Sequence, residues 1–309
     1  MKKRSRRICV LTAALVLLFT GSAAALLSAA PIAREVELAT YRDLSVEGQF
    51  LSTDPAAEFV LEEAPEKGTV TVEGDTFTYT PRAGKTGTDR FTYTAVSANG
   101  AASAPAEVTV SVRRPRSGVT YADTRDAAAQ HLAETGVFTG ANIGGQFYFE
   151  PDRTVSRSEF LAMVLETTGA EVTEVTMTGF CDDAAIPAWA RSYAAAGVSQ
   201  GIVQGERAGE GVAFRGEDAI TRSEAAVMLD RALAVSDVDL AVWYADREAV
   251  PSWAAQAVGN LESVNVLSAG SFGSAALEEP VTRMEAARML SAAATLLEGR
   301  EEGILSWLW

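Results

Sequence analysis

The chain has 309 residues, with 26 Lys+Arg against 41 Asp+Glu, one His, two Cys, 48% apolar residues and a formal charge of −15 at pH 7. That length accommodates two ordinary cores, and the apolar fraction is too high for a disordered acidic polymer, so a globular chain of two domains is expected. His131 alone gives no material for Ser-His-Asp or Cys-His catalysis, and with Cys9 and Cys181 it falls short of the usual zinc ligand sets, so no catalytic residue, metal ligand or cofactor is expected.

Residues 1–30 come first and differ from the rest. Lys2, Lys3, Arg4, Arg6 and Arg7 precede an apolar run from Ile8 to Phe19, and small residues follow at Ala23–Ala25 and Ser28–Ala30. This is the order of a secretory signal peptide. The alternative is an uncleaved membrane anchor, because Ile8 to Ala30 is long enough to span a bilayer with its basic flank inside. Cleavage removes those five basic residues and no acid, which takes the formal charge from −15 to −20. Such a surface repels nucleic acid. Only Cys181 survives, so the exported protein has no internal disulfide and depends on packing.

Residues 34–112 alternate Val, Thr, Phe and Tyr with a period of two. Thr69–Val72, Thr76–Thr80, Arg90–Thr94 and Glu107–Val112 are the clearest strands, with Gly74-Asp75 and Asn99-Gly100 as turns. An all-β antiparallel sandwich is expected. Gly68-Thr-Val, Phe77-Thr-Tyr-Thr-Pro81 and Gly87-Thr-Asp-Arg-Phe91-Thr-Tyr93 resemble the cadherin-like or Ig-like modules of bacterial surface proteins. The resemblance implies a spacer or adhesive role. Some members of that class bind calcium, but Asp54 and Asp89 stand apart from other acids, and turn capping is the simpler reading of both. Residues 113–119 read as a linker.

From Tyr121 the sequence turns Ala-rich with helical spacing and repeats three times. Ser156-Arg157-Ser158-Glu159, Thr221-Arg222-Ser223-Glu224 and Thr282-Arg283-Met284-Glu285 fit one template, followed by Met163-Val164, Met228-Leu229 and Met289-Leu290 on an inward face. Ser/Thr-x-x-Glu is a capping box, so each marks a helix start. The arginine is not explained by capping. A cation in the first turn faces the positive end of the macrodipole and costs about 0.3–1 kcal/mol if unpaired. A compensating anion is required, either a carboxylate of a neighbouring repeat or an external ligand.

Upstream of each box lie Tyr121-Ala-Asp123, Phe180-Cys-Asp182 and Tyr244-Ala-Asp246. In the second and third copies, Pro187-Ala-Trp189-Ala and Pro251-Ser-Trp253-Ala follow, and a helix is predicted to end at Gly201 or Asn265, residues that tolerate a left-handed cap. The first copy ends its helix at Gly136 and lacks the Pro-x-Trp segment.

Aromatic-x-Asp, Trp-Ala, Gly136-Val-Phe-Thr-Gly140 or Gly201-Ile-Val-Gln-Gly205, and Thr-Arg-x-Glu, in that order, resemble the S-layer homology repeat. The copies cover residues 120–179, 180–239 and 240–298. The third is the most diverged, with Asn265 for Gly and Leu277, Glu278-Glu279-Pro280 in a loop where the others carry an aromatic. The resemblance implies a mainly α prism with pseudo-threefold symmetry, following the all-β Ig-like sandwich in a multidomain chain. Grooves between its repeats would bind secondary cell-wall polysaccharide, often carrying pyruvylated N-acetylmannosamine. Carried onto this chain, the polysaccharide-binding residues would be Arg157, Arg222, Arg283, Trp189, Trp253, Asp123, Asp182, Asp246, Gly140 and Gly205. A ketal carboxylate suits an arginine at a helix N-terminus, and Trp offers a face to a pyranose ring. Each Trp could instead pack between helices, and each Asp could cap a turn.

The expectation is a secreted protein of the bacterial cell surface, anchored without covalent bonds to wall polysaccharide. It would meet a membrane only if the leader stays. The rivals are a structural envelope protein whose repeats mediate packing, and a hydrolase with two carboxylates across a sugar cleft. Residues 299–309 end in the apolar run Ile304-Leu-Ser-Trp-Leu-Trp309, which suits docking onto the helical domain or contact with a partner. Cys181 is expected to be a small buried hydrophobe.

Overall fold

The computed structural model describes residues 30–54, 56–243, 250–267 and 276–306, with side chains followed to Arg300. The leader, the Tyr244–Asp246 motif and the terminal Trp307–Trp309 lie outside the described residues. No described helix is long and apolar enough to cross a membrane. The chain divides into two compact units between Arg114 and Pro115.

Unit one is a two-sheet β structure. One sheet orders β1 (Val36–Tyr41), β7 (Ala106–Arg113), β6 (Gly87–Val96) and β3 (Glu58–Glu63), and the other orders β2 (Val46–Gln49), β5 (Thr76–Pro81) and β4 (Gly68–Glu73). Phe77 and Tyr79 of β5, Phe91 and Tyr93 of β6, and Val108, Val110 and Val112 of β7 face a common core with Phe50. These are alternate residues of each strand, as a pleat with one buried face requires. The expectation of a purely antiparallel sandwich is corrected in one place: β1 runs parallel to β7, pairing Val36 with Val108 through Tyr41 with Arg113.

Asp89 is buried and accepts hydrogen bonds from the Glu66, Lys67 and Arg90 amides and from the Tyr79 hydroxyl at 2.8 Å. A buried carboxylate must be satisfied in this way. Burial, with Asp89 close by, pushes the Tyr79 phenol above its ordinary range. Asp54 accepts from the Ala56 amide across a turn. Both acids are therefore occupied by the chain's own backbone.

Unit two is mainly helical. Its helices are α1 (Ala127–Thr135), α2 (Arg157–Thr168), α3 (Arg191–Ser199), α4 (Arg222–Leu233), α5 (Leu240–Trp243), α6 (Ala255–Ser263) and α7 (Arg283–Ser306). Two small hairpins, β8 (Ala141–Ile143) with β9 (Gln146–Tyr148) and β10 (Glu206–Ala208) with β11 (Gly211–Ala213), sit between helices of the first and second copies. One apolar cluster runs through the whole unit, from Val119 and Tyr121 to Leu290 and Ala293. Its entry is pinned by Glu134 of α1, which accepts from the Arg116 and Ser117 amides, the Ser117 hydroxyl and Gln130 Nε2.

The local sequence explains the helix ends. Ser156 and Thr221 form complete capping boxes with Glu159 and Glu224, and Thr282 exchanges the same pair of bonds with Glu285. All three template arginines are thus the first helical residue of α2, α4 and α7. Gly136, Gly201 and Asn265 take positive φ just after α1, α3 and α6. Residues 299–306, expected as a separate tail, continue α7 without a break.

Three buried residues immediately before the capping boxes close the unit. The Val155 amide donates to the Val281 carbonyl at 3.0 Å, Val281 to Ile220 at 2.9 Å, and Ile220 back to Val155 at 3.0 Å. Each copy thereby contributes one strand-like residue to a triangle around a pseudo-threefold centre.

Candidate functional site

The seams between copies are built alike. The Arg157 and Ser158 amides donate to Asp218 and Gly216, those of Arg222 and Ser223 to Glu279 and Leu277, and those of Arg283 and Met284 to Arg153 and Pro151. Each helix start therefore docks on the loop that leads into the next capping box, and the third docks back on the first.

These seams supply the counter-ions that the arginines need. Arg157 Nη1 donates to Glu224 Oε1 at 2.9 Å, while Glu224 Oε2 serves its own capping box. Arg222 donates through Nε (3.0 Å) and Nη2 to Glu285 Oε1, and through Nη1 to Glu279 at 2.7 Å and to the Ala276 carbonyl at 3.1 Å. The capping glutamate of the next copy thus neutralises the arginine of the previous one, with charge-assisted bonds. The third seam departs from the pattern. Glu159 is taken by Arg153 at 2.9 Å, and Arg283 donates instead to Glu150 at 2.9 Å and to the Phe149 carbonyl. Arg157 and Arg283 also lie over the Phe214 and Phe138 rings, at 5.7 and 4.8 Å. Each of the three arginines therefore has an internal carboxylate partner, one of the two kinds of anion considered from sequence.

Burial lowers the Arg157 pKa despite Glu224. Burial opposes Arg222 as well, but Glu285 and Glu279 outweigh it and hold that guanidinium above its ordinary value.

Asp123 and Asp182 have equivalent duties. Asp123 accepts from the Phe149 and Glu150 amides at 2.9 and 2.7 Å, and Asp182 from Phe214 and Arg215 at 2.9 and 2.8 Å. Glu150 and Arg215 both carry positive φ, so each carboxylate secures a backbone turn that a non-glycine residue adopts only at a cost. Gly140 and Gly205 are sterically required. A Cβ at Gly140 would lie 2.3 Å from the Tyr148 carbonyl oxygen, and one at Gly205 would lie 2.7 Å from that of Ala213. Asp246 lies outside the described residues.

The two tryptophans stand differently. Trp189 and Trp253 occupy matching turns, closed by Ala190-to-Pro187 and Ala254-to-Pro251 bonds of 2.9 Å each, and they are 51% and 55% exposed. Packing between helices is therefore not their main role. Trp189 makes a T-shaped ring contact with Tyr193, with centroids 6.4 Å apart, and the Tyr193 hydroxyl donates to Glu166 at 2.7 Å.

Cys181 corrects another expectation: it is exposed. Its amide bonds to the Val212 carbonyl, which holds it beside Gly211 of the β10–β11 hairpin. Sequence reasoning missed Glu150, Glu279 and Arg153 as seam partners. The third-copy loop Glu278-Glu279-Pro280, noticed only as a departure from the aromatic pattern, was the available signal. Among the described residues, no group of three or more His, Cys, Asp or Glu side chains is placed to hold a metal.

No curated protein matches the chain. Solved structures similar to it include a 2,6-sialyltransferase of Photobacterium sp., at 15% identity and TM-score 0.22, covering 27% of this chain and 18% of that one. Others are the SrpA adhesin of Streptococcus sanguinis (14%, TM-score 0.23, covering 31% and 68%) and fibronectin(III)-like modules of Clostridium thermocellum CbhA (16%, TM-score 0.19, covering 28% and 100%). None of these likenesses bears on what the protein does. Family models do match: residues 28–111 fit the bacterial Ig domain, and residues 179–226, the second copy of the template with Asp182, Trp189, Gly205 and Arg222, fit the S-layer homology domain. The chain therefore joins a bacterial Ig domain to an S-layer homology domain, the module of cell-wall anchoring, and is a protein of the cell surface or cell wall.

Proposed function

We propose that the helical unit holds this protein at the cell wall by binding secondary cell-wall polysaccharide, and that the Ig-like unit is a spacer or adhesive module displayed from that anchor. Export would follow from the leader in residues 1–30. Both modules are of kinds that are typically non-enzymatic, and no reaction is assigned.

The observation that carries the reading is the pair Trp189 and Trp253. Two large aromatic side chains are left half in solvent at the same position of two copies, where a fold stabilised by burial gains little from them. A flat apolar face with an indole N–H at its edge suits the alternation of C–H and hydroxyl groups on a sugar ring. Arg157, Arg222 and Arg283 lie on the seams between copies, while Asp123, Asp182, Gly140 and Gly205 shape the loops. A second reading draws on the internal pairing of all three arginines: the repeats serve packing between protein surfaces and the sugar site is vestigial.

Retention of the full chain on purified cell-wall sacculi, before and after chemical removal of the secondary polymer, tests this. Retention lost on stripping, and reduced by the double substitution Trp189→Ala with Trp253→Ala, supports polysaccharide binding. Retention that survives stripping favours the packing reading.

A further inference from the structure

The chain divides between Arg114 and Pro115, within the stretch Arg113-Arg114-Pro115-Arg116, three arginines in four residues. Exposed backbone between compact units is where proteases ordinarily nick a chain, and arginine is the side chain that trypsin-like enzymes select. Here the three arginyl bonds are closed in three different ways. Arg113 still belongs to β7: it pairs with Tyr41 of β1, and its carbonyl accepts from the Arg42 amide at 2.8 Å. The Arg114–Pro115 bond is a tertiary amide, whose ring fixes the backbone and removes the N–H on the leaving side of a cut. Arg116–Ser117 has neither protection, and Arg116 is exposed.

What closes that third bond is Glu134 of α1. The Arg116 amide donates to its Oε2 at 2.6 Å, the Ser117 amide to Oε2 and Oε1 at 3.1 and 3.2 Å, and the Ser117 hydroxyl to Oε1 at 2.6 Å. Both residues of the bond are thus tied to one carboxylate. That carboxylate is held in turn by Gln130, which is 4% exposed; its Nε2 lies 2.7 Å from Glu134 Oε1 and 3.2 Å from both the Ser117 hydroxyl and the Val119 carbonyl. Immediately beyond, Gly118 takes a φ of 72° and Val119 enters the core, so the chain turns on the leaving side of the bond. Burial opposes the charge on Glu134, but the Ser117, Arg116 and Gln130 donors outweigh it and keep the carboxyl below its ordinary range, so the clamp is ionised at neutral pH. A protease takes its substrate as an extended strand whose main-chain N–H and C=O groups pair with the enzyme. With both amides given to Glu134 and Gly118 in the left-handed region, this segment offers no such strand until the clamp opens.

We infer that Arg116–Ser117 is a latent cleavage site for an arginine-specific endoprotease, and that Glu134 is the latch that keeps it shut. The cut adds one water across the bond: the Arg116 carbonyl carbon gains the hydroxyl and the Ser117 nitrogen leaves as an amine, the protease supplying the nucleophile and the proton transfers. It would divide the chain into an Ig-like piece and a helical piece. What that does at the wall rests on the anchoring reading; the site itself does not, and its test uses no glycan, so the two can fail separately.

Limited digestion of the full chain with trypsin under native conditions, each cut located by mass spectrometry, tests it. Where opening is fast, cleavage follows the population of the open form, which grows as the clamp loses charge-assisted bonds. The unaltered chain is expected to be cut slowly at Arg116–Ser117. Glu134→Ala should speed this one cut by about a hundredfold and Glu134→Gln by about tenfold, and adding Arg116→Gln to Glu134→Ala should abolish it. A rate at Arg116–Ser117 that changes in neither Glu134 variant, whether fast or absent, overturns the latch. If Glu134→Ala is digested at many sites at once because the unit has unfolded, the isosteric Glu134→Gln decides. Faster cutting confined to Arg116–Ser117 then supports the inference, and a rate equal to that of the unaltered chain overturns it.

Discussion

Glu224 does two jobs, and replacing it with Gln separates them. A Gln amide oxygen can still accept from the Thr221 amide, so the capping box persists, but the charge facing Arg157 is gone. Arg157, with 17% of its side chain exposed, would then have no carboxylate partner. A charge-assisted hydrogen bond contributes about 1.5–3 kcal/mol when buried, and since Glu224 is about a third exposed the loss is better placed at about 1–2 kcal/mol. For a unit spanning Pro115–Trp309, each kcal/mol corresponds to about 2–4 °C. Glu224→Gln should therefore lower the helical unit's Tm by about 5 °C, read as ellipticity at helical wavelengths during heating. Glu285→Gln, at the equivalent place, should cost under half as much, because Arg222 keeps Glu279 and the Ala276 carbonyl. Equal losses for the two variants, or a larger loss for Glu285→Gln, would refute the view that seam saturation sets these energies.

Gly205→Ala should destabilise the unit by about 2 kcal/mol or more, since it meets the Ala213 carbonyl at positive φ, whereas Gly201→Ala, with open space around it, should cost about 1 kcal/mol in denaturant melts. Trp189→Ala and Trp253→Ala should leave Tm within about 2 °C while reducing retention on sacculi, because half of each side chain already faces water. Asp230 is raised above the ordinary carboxylate value, first by burial and further by Asp237, with which it shares the Asn260 amide at 3.1 and 3.0 Å. A carboxyl with a raised folded-state value stabilises the fold on protonation, so its contribution improves as pH falls through that raised value and is complete below the unfolded one. Asp230→Asn should accordingly raise stability at pH 7 and flatten the dependence between those two values; a variant less stable at pH 7 would contradict this.

Local signals were legible in the sequence to the degree that their physics is local. A hydroxyl and a carboxylate three residues apart satisfy each other within one turn, so all three capping boxes could be placed, as could the left-handed positions Gly136, Gly201 and Asn265. The partner of Arg157 lies 67 residues away and that of Arg222 lies 63 away, and no periodicity distinguishes an internal carboxylate at that range from a ligand. Exposure was equally hidden. Trp189 and Cys181 sit in apolar-looking stretches, and only the arrangement of the turn and the hairpin leaves them facing water. In the Ig-like unit the strong Thr/Val/Tyr alternation revealed β4 to β7, while β2 has only four residues, β3 carries a register shift, and β1, Val-Glu-Leu-Ala-Thr-Tyr, lacks that clear pattern. The parallel pairing of β1 with β7 depends on which edge is free when the sheet assembles.

The triangle of Val155, Ile220 and Val281 bears on how many copies such a unit can contain. In an open stack every module has a free face, so copies can be appended and the ends need special capping modules. Here each donor at the centre already has its acceptor, and the third partner hands the bond back to the first. A fourth copy would have to break one of these bonds to enter. The count within one unit is therefore closed by its own hydrogen bonds, and further copies would have to form a second unit rather than extend this one.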